Sequence, residues 1–257
     1  MQNLIRFVEI RVAVFLLILI AGSFAAPSQA SGDKPAIAVV GEDIVLPAPA
    51  VATDDAVADE ASSVFDAAAW TDSTIGAVDR DVFALALASA ERAIERGDAD
   101  TTTLTVIDFS VPSTERRMFV YDLRSRELLF EEHVSHGRNS GHNAPTLFSN
   151  EPESFKSSIG LYRAAESYVG KHGYSLRLDG LEKGFNDRAR ERAIVIHGAD
   201  YVNAATAKAQ GRLGRSLGCP AVRTEISRPL IDAVKNGGLV FAYYPDPTWL
   251  DTSTYLP

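Results

Sequence analysis

The chain has one cysteine, Cys219, among 257 residues, and only two methionines and two tryptophans. A single thiol excludes an internal disulfide and any metal site built on several sulfurs. Long apolar runs are missing from the body of the chain, which excludes a spanning helix there. Basic excess is missing too. Lys and Arg number 25 against 34 Asp and Glu, a formal charge of −9. No basic face is therefore expected for nucleic acid. Internal repeats are absent, which excludes a solenoid.

One apolar run stands at the N-terminus. Arg6 and Arg11 precede residues 12–21, and Ser28-Gln29-Ala30 closes the segment. A basic start, a short apolar core and a small-x-small exit predict a secretory signal over 1–30, cut after Ala30. A cut after Ala26 would leave Pro27 next to it, and the alternative reading is an uncleaved membrane anchor, for which the run is shorter than the ~20 residues of a span. The protein is expected to be exported to the periplasm or cell envelope, meeting the membrane only through this signal. Acidity is concentrated behind it: residues 31–100 hold 15 Asp/Glu against 4 Lys/Arg, whereas 101–257 hold 18 against 19. Residues 31–70, rich in Ala, Asp, Val and Pro, bury too little to offset their ordering entropy and predict a flexible acidic linker.

Periodicity then sets the elements. Phe83, Leu87, Ala90 and Ile94 recur at helical spacing, with Gly97 placed to stop the helix, so 71–98 predicts a helical extension. From residue 103 the period becomes that of strands. TLTVIDF, RMFVYDL, ELLFEEHV, YSLRL, AIVIHG and LVFAYY predict strands, and EISRPLIDAVKNGG a helix ended by Gly237. Long Gly/Ser/Asn-rich connections separate them, notably 136–160. Residues 99–257 predict one β-rich α+β domain with a few helices.

Cys219 lies in GRLGRSLGCPAV. A lone cysteine in an exported chain is either an intermolecular bridge or a reactive thiol, and a buried inert cysteine is the plain alternative. Gly211, Gly214 and Gly218 let backbone approach a ligand closely. Arg212 and Arg215 add charge that would favour thiolate. Successive N–H groups in such a turn can face an oxyanion. The base must be a histidine, and His197, ending an apolar strand at His-Gly, is best placed. His133, His136 and His142 fit no standard ligand spacing, so no metal or other cofactor is expected. His172, in GKHGYS, is either structural or substrate-facing.

IVIHGADYV followed by GRLGRSLGCPAV resembles the YkuD-type L,D-transpeptidases of bacterial cell-wall synthesis. DFSVPSTERRMFVYDL, HGRNSGHNAPTLFSN, SSIGLY and GKHGYSLRLDGLEKGFNDRARERAIVIHGA resemble a divergent branch, the murein L,D-transpeptidase catalytic domain family. The likeness runs from about residue 80 to 245. It implies an L,D-transpeptidase-like mixed β-sandwich in which Cys219 is nucleophile and His197 base. The Gly198 carbonyl orients the imidazole, and the Gly218 and Cys219 N–H groups form the oxyanion hole. Ser216 orders the loop, and Tyr174 joins Arg215, Ser216 and Arg223 in binding substrate. Leu217 and Ala221 stand where the mainstream family has histidine and arginine, so Arg215, then Arg223, are the candidates for carboxylate recognition. The implied partners are peptidoglycan stem peptides, acted on by a monomer that makes 3→3 cross-links. Three other readings stay open: an L,D-carboxypeptidase, a non-catalytic wall-binding module, and a thiol redox sensor that lacks a resolving cysteine.

Overall fold

The computed structural model describes residues 64–257. The predicted export signal and most of the predicted linker lie outside the described residues. The linker's last residues are folded. Trp70 is 2% exposed and stands edge-on to Phe83 and Tyr121, with ring centroids 5.0 and 5.7 Å away. Val64 and Phe65 pack against the same core. Three large apolar side chains, late in an acidic stretch, fix that boundary.

Helices α1 (Asp72–Ile75) and α2 (Arg80–Glu95) follow. The Asp79 carboxylate caps α2 by accepting from the N–H groups of Asp81 and Val82. Gly97, at φ +74°, ends it. Its N–H reaches the Ile94 carbonyl and that of Asp98 reaches Ala93, a Schellman arrangement. The extension is docked: Phe83, Ala86, Leu87 and Ala90 are fully buried in a core with Leu104, Phe119, Tyr121, Phe241 and Trp249.

Eight strands form one mixed sheet. They are β1 (Thr103–Asp108), β2 (Met118–Asp122), β3 (Glu127–Glu132), β4 (Gly160–Gly170), β5 (Gly173–Gly180), β6 (Val195–Gly198), β7 (Ala221–Val222) and β8 (Leu239–Tyr243), in the order β3-β2-β1-β8-β4-β5-β6-β7. The pairs β1–β8 and β6–β7 are parallel, the others antiparallel. Strand side chains alternate between faces. Val106, Phe119 and Phe241 face the helical extension, while Ile107, Val120 and Val240 face a second core with Leu176, Ile196, Leu230 and Ile231. Leu230 and Ile231 come from α4 (Thr224–Val234). Each such buried side chain contributes about 1.5–3 kcal/mol over exposure. The sheet curls barrel-like around this second core. Beyond β3, the Ser135 N–H reaches the Ala221 carbonyl of β7 at 2.8 Å, so the sheet's two edges meet. The expected β-rich α+β fold is present, and the walls of the expected sandwich are parts of one sheet.

Two short helices, α3 (Ala204–Gln210) and α5 (Pro247–Thr252), complete the fold. The sequence signalled neither. It also signalled neither β4 nor β7.

Candidate active site

β6 is the inner strand of a three-strand ladder, with His197 paired to Ser175 of β5 and to Ala221 of β7. Cys219 lies two residues before Ala221, at the mouth of β7. The parallel β6–β7 pairing therefore sets His197 opposite Ala221, two residues past Cys219, although Cys219 follows His197 by 22 positions in the chain.

His197 is 3% exposed. Its Nδ1 lies 2.9 Å from the Gly198 carbonyl oxygen. A carbonyl can only accept, so Nδ1 carries the proton and Nε2 keeps a free lone pair. Gly198 is closely packed, and a Cβ there would stand 2.8 Å from Ser227 Oγ. Burial is the main influence on the ring and lowers its pKa below the usual 6.5; the Gly198 contact opposes this, and His172 adds to the lowering.

The Cys219 thiol donates to the Ala193 carbonyl at 3.7 Å. Ala193 holds φ +53°, a left-handed conformation uncommon for a residue with a Cβ. Burial pushes the thiol pKa up. A backbone hydrogen bond at Val195 and the charges of Arg192 and Lys171 pull it down and lose. This corrects the expectation that Arg212 and Arg215 would favour thiolate. Arg212 is spent on His142 Nε2 and the Leu213 carbonyl, and Arg215 on the carbonyls of Arg138 and Gly141. Burial thus favours the neutral form of both the thiol and the imidazole.

The loop before the thiol is held from within. Ser216 Oγ donates to the Cys219 carbonyl at 2.6 Å and accepts from the Gly218 N–H at 3.1 Å. Ser157 Oγ donates to the Gly218 carbonyl at 3.1 Å. Gly218 has φ +124°, and a Cβ there would come within 2.8 Å of the Lys156 carbonyl oxygen. The Gly218 N–H, expected in an oxyanion hole, is thus taken by Ser216. The Cys219 N–H has no hydrogen-bond partner among the described residues.

Three residues expected to bind substrate have partners within the chain. Arg223 grips both oxygens of Glu132, at 2.9 and 2.6 Å. Arg215 staples the 138–141 loop, as above. Tyr174 packs with Leu176 in the second core, on the opposite face of β5 from Ser175 and His197. Its hydroxyl bonds Ser167 and Asp232, and Arg228 lies over its ring. The three crowded histidines each have a separate partner. His133 Nε2 meets the Thr114 carbonyl, and Arg212 donates to His142. His136, fully buried, takes a hydrogen bond from Arg117 at Nδ1; burial, then that cation, pushes its pKa down to about 3.

Sequence reasoning gave no role to Lys171 or Arg192 and left His172 undecided. The signal available was Gly170-Lys171-His172-Gly173, a two-residue turn bounded by glycines, which places its central side chains at a hairpin tip. The His172 ring stacks on His197, with centroids 4.4 Å apart and planes 26° apart.

Residues 75–243 match the family model described as L,D-transpeptidase catalytic domain. Similar solved structures include an L,D-transpeptidase from Mycobacterium smegmatis, at 14% identity over 56% of this chain and 59% of that one, with a TM-score of 0.35. L,D-transpeptidase 1 from Mycobacterium tuberculosis is 15% identical over 55% of this chain and 61% of its own, with a TM-score of 0.32. An L,D-transpeptidase fragment from Xylanimonas cellulosilytica is 14% identical over 60% and 68%, with a TM-score of 0.33. The chain thus spans about three fifths of the mycobacterial structures it matches. No curated protein matches it.

Proposed function

The chain belongs to the L,D-transpeptidase catalytic domain family, and on that footing we propose that it is an exported, cysteine-dependent enzyme that joins peptidoglycan stem peptides. The observation that carries this reading is His197. Its Nδ1 is clamped on the Gly198 carbonyl and its Nε2 is free, on a strand hydrogen-bonded to the one Cys219 leads into.

In this reading a stem tetrapeptide presents the carbonyl of its third residue to Cys219. The thiol leaves the Ala193 carbonyl and gives its proton to His197 Nε2 as sulfur bonds to the carbonyl carbon. The carbonyl electron pair moves to oxygen, which faces the unpartnered Cys219 N–H. When the pair returns, the C–N bond breaks. The imidazolium protonates the departing D-Ala amine, and a thioester remains. An amine of a second stem then attacks the thioester. His197 takes the amine's proton and returns it to the leaving sulfur. The product is a 3→3 cross-link, and the thioester carries the energy of the cleaved amide forward. With water in place of the amine, the same steps give a tripeptide.

The test is incubation of the protein with purified disaccharide-tetrapeptide, with products read by mass spectrometry beside Cys219→Ala. The expected result is cross-linked dimers that have lost D-Ala, absent from the variant. Tripeptide alone would reassign the enzyme as a carboxypeptidase. No turnover, with equal binding by both proteins, would leave a wall-binding module.

A further inference from the structure

The turn between β4 and β5 stands beside the catalytic pair. It holds two side chains between Gly170 and Gly173, which pair with each other. Gly173 takes φ +73°, and no atom lies within 4 Å of where its Cβ would be. Lys171 and His172 are both exposed. His197 beneath is almost fully buried, and the His172 ring stacks on it with centroids 4.4 Å apart. An exposed ring thus covers a buried one.

We infer that His172 is a positioning residue for the proposed reaction: stacked on His197, it fixes the direction of Nε2 and keeps that ring unprotonated until the Cys219 proton arrives. The inference rests on the catalytic reading of His197. The Gly198 carbonyl fixes one edge of the imidazole but leaves its plane free to rock about that bond. A stacked ring removes this freedom. It also excludes water from that face, which disfavours the charged form, and two rings in contact resist carrying two protons. Burial and His172 act on His197 in the same direction.

The other ionisable groups here come from four places. Lys171 shares the turn, Arg192 precedes β6, Cys219 precedes β7 and Tyr201 follows β6. Lys171 and Arg192 act on the thiol, and Cys219 acts on Tyr201. From α4, the nearest approaches to Gly198 are those of Ser227 and Thr224.

The test has two arms. In the first, the His197 imidazole is titrated by NMR in the Cys219→Ala protein, with and without His172→Ala or His172→Phe. In the alanine variant the His197 pKa should rise by about half a unit or more, since solvent reaches the ring and a neighbouring charge is lost. In the phenylalanine variant, which keeps the stack, the rise should be smaller. In the second arm, turnover of the tetrapeptide is followed against pH in the two variants with Cys219 intact. His172→Ala should lower kcat about tenfold with KM little changed and move the acid limb upward; His172→Phe should restore most of kcat. A His197 titration that is the same in all three proteins overturns the inference. So does a loss confined to KM. If His172→Ala fails to fold, His172→Phe alone decides by its His197 titration. The NMR arm needs no turnover, so it separates failure of this inference from failure of the catalytic reading.

Discussion

Cys219 and His197 rest in the same charge state, and burial is the reason for both. Taking a thiol out of water raises its pKa, and taking an imidazole out of water lowers its own, because each charged form loses hydration. Two cations near the sulfur, Arg192 and Lys171, oppose this without reversing it. In the proposed reaction the proton therefore moves during the attack rather than before it. The sign of the pH dependence follows. His197 has to be unprotonated to accept, so turnover falls only as pH drops through its depressed pKa. Catalytic efficiency against pH should show an acid limb centred below 6.5, and a flat top up to the region where the thiol ionises, above 9. A limb centred above 6.5 would mean that His197 is not the base. The same scale shows what the sequence hid about the arginines. Arg215 and Arg223 look like free cations in the sequence, but a guanidinium has five donors and takes whichever carbonyls or carboxylates the fold brings near. Here those are Arg138, Gly141 and Glu132.

Elements matter through what ties them. Glu182, just after β5, is 4% exposed and joins three pieces of chain. It accepts from the Leu161 N–H of β4 at 2.6 Å, from Trp249 Nε1 of α5 at 2.8 Å and from Ser253 Oγ at 2.6 Å. Its donors are all neutral, so burial wins and raises the carboxyl pKa. The unfolded chain then releases this proton first. The stability the group contributes is full below about pH 4.5 and is lost as pH rises through its folded pKa. Glu182→Ala orphans two buried N–H donors and should cost about 3 kcal/mol, read from urea unfolding. A loss near zero would remove Glu182 from this role. The strand it supports was also the one hidden from sequence reading. Ala164-Ala165-Glu166-Ser167 has the composition of a helix and breaks the alternation of a strand. β4 forms because β8 and β5 pair with it on both sides, with the register shifting between Ala164 and Ser167. Two-residue β7 is too short for any period to register. By contrast β1, β2 and β8 alternate cleanly between two cores, β5 alternates between the second core and polar residues, and α2 carries both a cap and a stop. Their local signals agree with the fold, so they were legible. Cys219 and His197 stood out as candidates, because a lone cysteine among glycines and a histidine ending an apolar strand are rare strings. Their electrostatics did not, because burial is set by the whole sheet.

At the scale of the whole molecule, one curled sheet separates two cores that do different work. The core facing the helical extension holds Trp70, Phe83, Leu87, Tyr121 and Trp249. The other, holding Ile194, Ile196 and Val222, lies directly under the strands that carry His197 and Cys219. Damage to the first should therefore lower stability without altering chemistry. Trp70→Ala should cost about 3–5 kcal/mol, since it empties a site lined by Phe83 and Tyr121, while the Cys219-dependent rate per folded molecule stays unchanged. Denaturant titration beside active-site counting would check this, and a rate that falls in proportion to stability would show that the cores are coupled.

The chain's single thiol is half covered, with its hydrogen directed to a carbonyl and its pKa pushed up by burial. Peroxides and disulfides are attacked by thiolate, so a thiol kept in its acid form reacts with them slowly. The burial that, in the proposed reaction, holds the thiol back until a substrate arrives therefore also lengthens the working life of a residue that has no second cysteine in the chain to regenerate it.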